Sequence, residues 1–191
     1  MHEPAITSAQ SLIPVLADVL APFMDRPAAF FGHSMGAIIA FELARHLRTD
    51  RALSLTHLFV SGRRAPQIKL DEAVTYNLPE PGFIEAIRDL NGTPKEVFEH
   101  AELLQLMIPL LRADFEFCQT YEYSPGPPFD FPITVIGGVE DDKVNPEHLE
   151  AWREQTTADF SLHMLPGDHF FINAPPPRFF QLLLEALARF A

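Results

Sequence analysis

The stretch Ala28-Ala29-Phe30-Phe31-Gly32-His33-Ser34-Met35-Gly36 joins a short apolar run to a G-x-S-x-G motif. The apolar run is typical of a parallel strand that is buried on both faces and ends at Gly32. Apolar residues at helical spacing follow over residues 35–48 and predict a mostly buried helix. A serine between a strand and a helix in this motif occupies a sharp turn, the nucleophile elbow, which exposes its hydroxyl at the edge of a sheet. We therefore predict that Ser34 is a nucleophile, and that both glycines let neighbouring backbone approach without a Cβ clash.

Strand and helix patterns alternate on both sides of this stretch. A capping-box pattern at Thr7 and Gln10 indicates a helix within residues 8–24. Further strands are predicted over residues 55–60, 132–137 and 160–165, and further helices from the Asn145 cap to about residue 155 and over residues 177–190. Because strands that alternate with helices form parallel sheets, we predict an α/β fold with a mostly parallel sheet and helices on both faces.

The segment from residue 71 to about residue 120 differs from the rest of the chain. Several prolines and glycines separate short apolar-periodic pieces, which predicts two or three short helices. Its place before the strand at residue 132 predicts a helical lid insertion over the carboxyl ends of the strands, where sites in α/β folds lie. With 191 residues, the chain is predicted to be a single domain, 1–191, that carries this insertion.

Composition excludes several classes of function. The net charge is −12, with 14 Lys and Arg against 26 Asp and Glu, so the surface repels nucleic acid and anionic membranes. No apolar run has the length of a membrane span, and the first residues lack the basic start of a signal peptide. Cys118 is the single cysteine and no Cys/His spacing is typical of a zinc site. We expect a protein of the reducing cytoplasm, with no metal and no membrane or nucleic-acid partner.

Two residues far along the chain have the order that the elbow serine requires. A serine hydroxyl is a weak nucleophile, and its partners in this arrangement follow in the order acid, then histidine. Asp141 comes after the strand that ends at residue 137, and His169 comes after the last strand. We predict that His169 takes the Ser34 proton and that Asp141 orients His169, in acyl transfer to water. Asp142 is the alternative acid, less favoured because it lies farther from the strand end.

Neighbouring groups have weaker predicted roles. The backbone N–H of Met35, at the start of a helix, is predicted to donate to the oxyanion of a tetrahedral intermediate. His33 is predicted to be a packed or polar elbow residue rather than a second base. Arg63 and Arg64 form either a solvated loop or a contact for an anionic arm of the substrate.

Several ordered segments resemble the type II thioesterases, the stand-alone α/β-hydrolases that accompany nonribosomal peptide and polyketide synthases. The resemblance covers essentially the whole chain and therefore implies an α/β-hydrolase-like fold. The segments are FFGHSMGA at residues 30–37 with FELAR at 41–45, SGRRAP at 61–66, LRADF at 111–115 with YEY at 121–123, AWR at 151–153, and PGDHFF at 166–171.

The resemblance implies a function and a partner. It implies hydrolysis of acyl or aminoacyl thioesters from the phosphopantetheine arm of carrier protein domains, which removes misprimed or stalled groups. Carried over by position, Ser34, Asp141 and His169 are the catalytic triad, and no cofactor is bound because the substrate itself carries the phosphopantetheine. Since carrier proteins of these synthases are acidic, the charge of −12 predicts weak binding or binding through a local patch.

The chain departs from the family pattern at its start. Residues 3–8 resemble a segment that lies well inside family members, after opening strands and a Gly-rich loop that donates a second oxyanion N–H. We expect these N-terminal strands to be absent, either because the chain is a fragment or because it is a short form. Loss of one oxyanion donor lowers turnover by about 10²–10³. One alternative to editing is therefore an impaired fragment that only binds carrier protein. Another, with the same chemistry, is a general serine esterase or acyltransferase.

Overall fold

The strands of the chain form a parallel sheet. The computed structural model describes residues 4–48, 54–69, 73–90, 92 and 95–188. Within these residues, four strands pair in parallel and lie side by side in the order of the chain. The strands are β1 (Ala28–His33), β2 (Leu55–Ser61), β3 (Ile133–Gly138) and β4 (Phe160–Leu165). The predicted parallel α/β sheet is confirmed.

Helices connect the strands. They are α1 (Ala9–Leu20), α2 (Met35–Leu47), α3 (Glu80–Asp89), α4 (Lys95–Glu99), α5 (Ala101–Thr120), α6 (Pro146–Glu150) and α7 (Pro177–Leu187). The cap of α1 is Ser8 rather than the predicted Thr7, because the Ser8 Oγ accepts the N–H of Ser11 at 3.3 Å. Asn145 caps α6 as predicted, through its bond from the His148 N–H at 2.9 Å. None of the helices in the described ranges combines the length and the apolarity that a membrane span needs.

The chain divides into two compact units. The first comprises the described residues of Met1–Leu12 and Leu70–Glu122, and the second those of Ile13–Lys69 and Tyr123–Ala191. In the first unit, α3, α4 and α5 enclose a separate core, formed by Phe83, Ile87, Val97, Leu104 and Ile108. The prediction of two or three helices in this segment is confirmed, since its described residues contain α3, α4 and α5, although α5 has 20 residues and is not short. That this unit acts as a lid stays a prediction.

In the second unit, helices cover both faces of the sheet. One face packs Leu58, Val60 and Val135 against Phe41 of α2 and the buried Trp152. The other face packs Ile136 and Leu165 against Phe179 and Leu182 of α7. Strand residues alternate between the faces, so each strand supplies apolar side chains to both layers. The predicted helices on both faces are confirmed.

The prediction that β1 is buried on both faces is wrong. Phe31 in this strand is 39% exposed, although its ring contacts Phe179 at a centroid distance of 5.7 Å. The strand lies at an edge of the described sheet and pairs with β2 alone. An edge strand has a neighbour on one side only, so part of its surface is open even where its residues are apolar.

Candidate active site

Ser34 lies in a sharp turn between β1 and α2. Its backbone has φ 51° and ψ −116°, and it is the one non-glycine residue with positive φ in the described part of the chain. Such a conformation costs on the order of 1–3 kcal/mol, so it persists only where surrounding contacts hold it. One of these contacts is the Ser34 N–H, which donates to the carbonyl of Ser61 at the end of β2 over 2.8 Å.

The two glycines of the motif differ in the space around them. A Cβ on Gly32 would overlap the backbone carbonyl of Gly36, so the turn can close only around a glycine. A Cβ on Gly36 would meet no atom within 4 Å. The predicted clash therefore holds for Gly32 and is wrong for Gly36. The backbone of Gly36 approaches the Cα of Gly32, whereas no neighbouring chain approaches the Cα of Gly36 on the side where a Cβ would lie.

Three side chains from separate loops form a hydrogen-bonded row at the carboxyl edge of the sheet. The Oγ of Ser34 lies 3.0 Å from Nε2 of His169, and Nδ1 of His169 lies 2.8 Å from Oδ2 of Asp141. An ionised carboxylate can only accept, so Nδ1–H donates to Asp141 and Nε2 is left as an acceptor for the Ser34 hydroxyl. This is the geometry of a nucleophile, a general base and an orienting acid.

The environment of Asp141 keeps its carboxyl ionised. Burial raises its pKa, but the hydrogen bond with His169, the N–H groups of Lys143 and Val144, and the charge of His169 together hold the pKa below its usual value. The side chain is 1% exposed. The alternative acid, Asp142, is 81% exposed and pairs with Lys143 at 3.6 Å, so the structure brings Asp141 and not Asp142 to the imidazole.

The loops that carry the acid and the base are joined by backbone hydrogen bonds. We call residues 138–141 and 166–169 the paired loops. The N–H of Val139 donates to Leu165 at 2.9 Å, and the N–H of Glu140 donates to Gly167 at 3.0 Å. A Cβ on Gly138 would overlap the carbonyl oxygens of Gly167 and Asp168, so the absence of a side chain there lets the two loops touch. Backbone contacts thus set the spacing of Asp141 and His169.

The predicted oxyanion donor lies beside the nucleophile. Helix α2 begins at Met35, directly after Ser34. The first N–H groups of a helix have no acceptor within the helix, and the helix dipole favours negative charge at this end. The Met35 N–H can therefore donate to an oxyanion formed at Ser34, and this role stays a prediction.

The sequence motif gave no role to Ser61, and it placed His33 only as a packed or polar residue. Nδ1 of His33 lies 2.9 Å from the hydroxyl of Ser61, and the His33 ring lies 5.2 Å from the ring of His169. Burial, and next the neighbouring His169, lowers the pKa of His33 to about 4, although Asp141 and the backbone of His169 oppose this in part. The signal that could have revealed Ser61 is its place at the end of β2, next to the strand that carries the nucleophile.

We expect acid to destabilise the protein through His33. An unfolded chain binds a proton at His33 near the usual pKa of about 6.5, whereas the folded chain does so only near 4. The contribution of neutral His33 to the free energy of unfolding is therefore complete above about pH 6.5 and is lost as the pH falls through about 4. Burial also lowers the pKa of His163, which acts in the same direction. Urea unfolding of wild type and of His33→Asn between about pH 7 and about pH 4.5 measures this, and the variant is expected to lose less stability. Equal losses in both proteins would contradict the assignment.

Other predicted groups have structural contacts. The carbonyl of Arg63 accepts the indole N–H of Trp152 at 2.7 Å, and both Arg63 and Arg64 are partly buried. Their contact with an anionic arm stays a prediction. Among the residues that the structure describes, no group of three or more His, Cys, Asp or Glu side chains is arranged to hold a metal ion.

The chain is similar in sequence to a known domain family and to proteins of known pathways. A family model described as the thioesterase domain matches residues 1–187. The chain is 43% identical over 188 residues to the linear gramicidin dehydrogenase LgrE of Brevibacillus parabrevis, which covers 97% of this chain and 72% of that protein. It is 47% identical over 170 residues to the gramicidin S biosynthesis protein GrsT of Aneurinibacillus migulanus, which covers 89% of this chain and 66% of that protein.

A solved structure gives the same fold. The type II thioesterase BorB, from the borrelidin biosynthetic cluster, superposes with a TM-score of 0.85 at 34% identity. The match covers 95% of this chain and 74% of that chain. The described sheet and helices therefore correspond to a large part of a known α/β-hydrolase thioesterase, and the chain spans about two thirds to three quarters of these relatives.

Proposed function

This chain belongs to the thioesterase family, and from that membership we propose that it hydrolyses acyl or aminoacyl thioesters on the phosphopantetheine arm of carrier protein domains. The observation that carries the proposal is the hydrogen-bonded row of Ser34, His169 and Asp141. The similarity to GrsT and to BorB, which are named for gramicidin S and borrelidin biosynthesis, supports a substrate carried by a biosynthetic synthase. The dehydrogenase name of LgrE belongs to that protein. Hydrolysis is inferred for this chain from the contacts of Ser34, His169 and Asp141.

The row provides for a two-step acyl transfer. In the first step, the Ser34 Oγ bonds to the thioester carbonyl carbon while Nε2 of His169 takes its proton over the 3.0 Å contact. The C–S bond then breaks, and the leaving sulfur takes the proton from His169. In the second step, a water gives a proton to His169 and its oxygen bonds to the acyl carbon. The bond from that carbon to Oγ then breaks and His169 returns the proton to Oγ, which releases the carboxylic acid and restores the Ser34 hydroxyl. Asp141 stabilises the imidazolium in both steps.

A thioester substrate and a broad acyl range suit this site. A thiolate leaves more readily than an alkoxide, so modest activation of Ser34 suffices. An apolar pocket distinguishes acyl groups by only about 1–3 kcal/mol per methylene, which fits an enzyme that must remove many different wrong groups. The proton transfers need only side chains of this chain, so the proposal includes no bound cofactor. The single cysteine favours action in the reducing cytoplasm.

The test compares an acyl-pantetheine thioester with the matched oxygen ester. We expect a higher kcat/KM for the thioester and covalent labelling of Ser34 by a fluorophosphonate probe. A strong preference for the oxygen ester would indicate the general esterase instead. Absence of labelling in a protein that is folded by circular dichroism would indicate a fragment that binds carrier protein without hydrolysis.

A further inference from the structure

A second histidine ring packs against the base of the row. The ring of His33 lies 5.2 Å from that of His169, with the planes inclined at 50°. Phe171 closes another side of the His33 ring at 5.9 Å in an edge-to-face contact. Because two side chains cannot occupy the same space, the His33 ring limits the positions that the His169 ring can take on this side.

Ser61 fixes both His33 and the nucleophile. Its side chain is fully buried, and its hydroxyl bonds to Nδ1 of His33 at 2.9 Å. Its carbonyl accepts the N–H of Ser34 at 2.8 Å. One residue at the end of β2 therefore holds the turn that carries the nucleophile and also the ring that lies against the base.

The loop after β2 encloses the His33 ring tightly. Gly62 has φ 58°, and a Cβ there would lie 2.6 Å from Cε1 of His33. The N–H of Gly62 donates to the carbonyl of Ile136 at 2.9 Å, which ties this loop to β3. The His33 ring is thus held between the backbone of Gly62 on one side and the imidazole of His169 on the other.

The ring is uncharged at neutral pH, which matters for its neighbour. The titratable groups that face His33 are His169 and Asp141. The buried Nε2 of His33 makes no well-formed hydrogen bond in the described residues, and its polar neighbour is the backbone of His169. A cation at this position would repel the imidazolium that forms at His169 during catalysis. A neutral ring packs closely without that repulsion.

We propose that His33 is a positioning residue: its ring, anchored by the Ser61 hydroxyl, is the wall that holds the imidazole of His169 in line with Ser34 and Asp141. The inference rests on the hydrolytic function proposed above. His33 exchanges no proton with the substrate and acts only through His169.

The test uses His33→Ala, Ser61→Ala and the double variant, with His163→Ala as a matched control that removes another partly buried histidine. We expect His33→Ala to lower kcat by about 10- to 100-fold, since a misplaced base loses its alignment with the nucleophile. KM is expected to stay within about two-fold. Ser61→Ala should lower kcat in the same direction, and the double variant should be no slower than His33→Ala, because both changes release the same ring.

A second readout does not depend on turnover. In the free protein, the proton on Nδ1 of His169 that is shared with Asp141 is expected to give a downfield proton NMR signal, sharp in wild type and in His163→Ala. Release of the ring should broaden or remove this signal in His33→Ala and in Ser61→Ala. If His33→Ala does not fold, Ser61→Ala decides by the same criteria.

The outcomes separate the two proposals. A wild-type protein that gives the NMR signal but hydrolyses no thioester would overturn the function, and the signal in the variants would still test the positioning. A hydrolytically active His33→Ala with kcat within about two-fold of wild type and an unchanged signal would overturn the positioning role alone. The same holds if the effects of the two single variants multiply in the double variant.

Discussion

Ser34→Ala is expected to lower kcat for thioester hydrolysis by about 10⁴-fold or more, because it removes the oxygen that bonds to the acyl carbon. Alanine keeps the backbone of the turn, and the N–H of residue 34 can still donate to the carbonyl of Ser61. The substitution removes only the Oγ that lies 3.0 Å from Nε2 of His169. Fluorophosphonate labelling should disappear together with turnover, whereas the melting temperature should change little.

A matched control for this variant is Ser161→Ala. Ser161 lies in β4, and its hydroxyl also makes a hydrogen bond, to Thr134 at 3.0 Å, so the same atom is removed from a bonded serine outside the row. The control is expected to keep its turnover and its labelling. If Ser34→Ala retains both labelling and hydrolysis, another nucleophile performs the reaction and the proposed mechanism is wrong.

Asp141→Asn should reduce kcat by about 10⁴-fold, with little change in the fold. The NH₂ group that replaces one carboxylate oxygen donates hydrogen bonds and cannot accept one from the Nδ1–H of His169. Facing Nδ1, it favours the tautomer of His169 with the proton on Nε2. That tautomer presents a donor to Ser34 and can no longer take its proton. The backbone donors of Lys143 and Val144 can still bond to the remaining carbonyl oxygen, so the loop keeps its shape.

Asp142→Asn is the control, since it makes the same chemical change one residue away. Its side chain is 81% exposed and contacts the exposed Lys143, so kcat is expected to stay close to that of wild type. The two variants are compared by steady-state kinetics at a pH where wild type is fully active. A large loss in Asp142→Asn with a normal Asp141→Asn would transfer the role of the acid to Asp142.

The sheet was predictable from the sequence because its strands are short apolar runs bounded by glycine and proline. Strands β2, β3 and β4 were located to within a residue or two for this reason. The exposure of Phe31 was not predictable, since it depends on which strand lies at the edge of the described sheet, and apolar character alone does not report that. The helices between residues 71 and 120 were predictable as well, but as short ones, whereas α5 has 20 residues and continues through Pro109.

The candidate site was partly predictable in the same sense. The motif and the chain order singled out Ser34, Asp141 and His169, and the structure brings these three together. The contact between His33 and His169 was not predictable, because the motif directs the serine toward the base but does not fix the direction of the side chain that precedes it. The role of Gly138 was likewise hidden, since the atoms that need its bare Cα are carbonyl oxygens of a loop about 30 residues later.

The paired loops have a consequence for how the site fails. Their backbone hydrogen bonds continue the ladder between β3 and β4, so the backbones that carry the carboxylate and the imidazole cannot separate unless that ladder opens. The two partners therefore belong to one cooperative unit of unfolding, and fraying of the surrounding helices leaves them together. The spacing between the two loops thus persists for as long as the central strands remain paired.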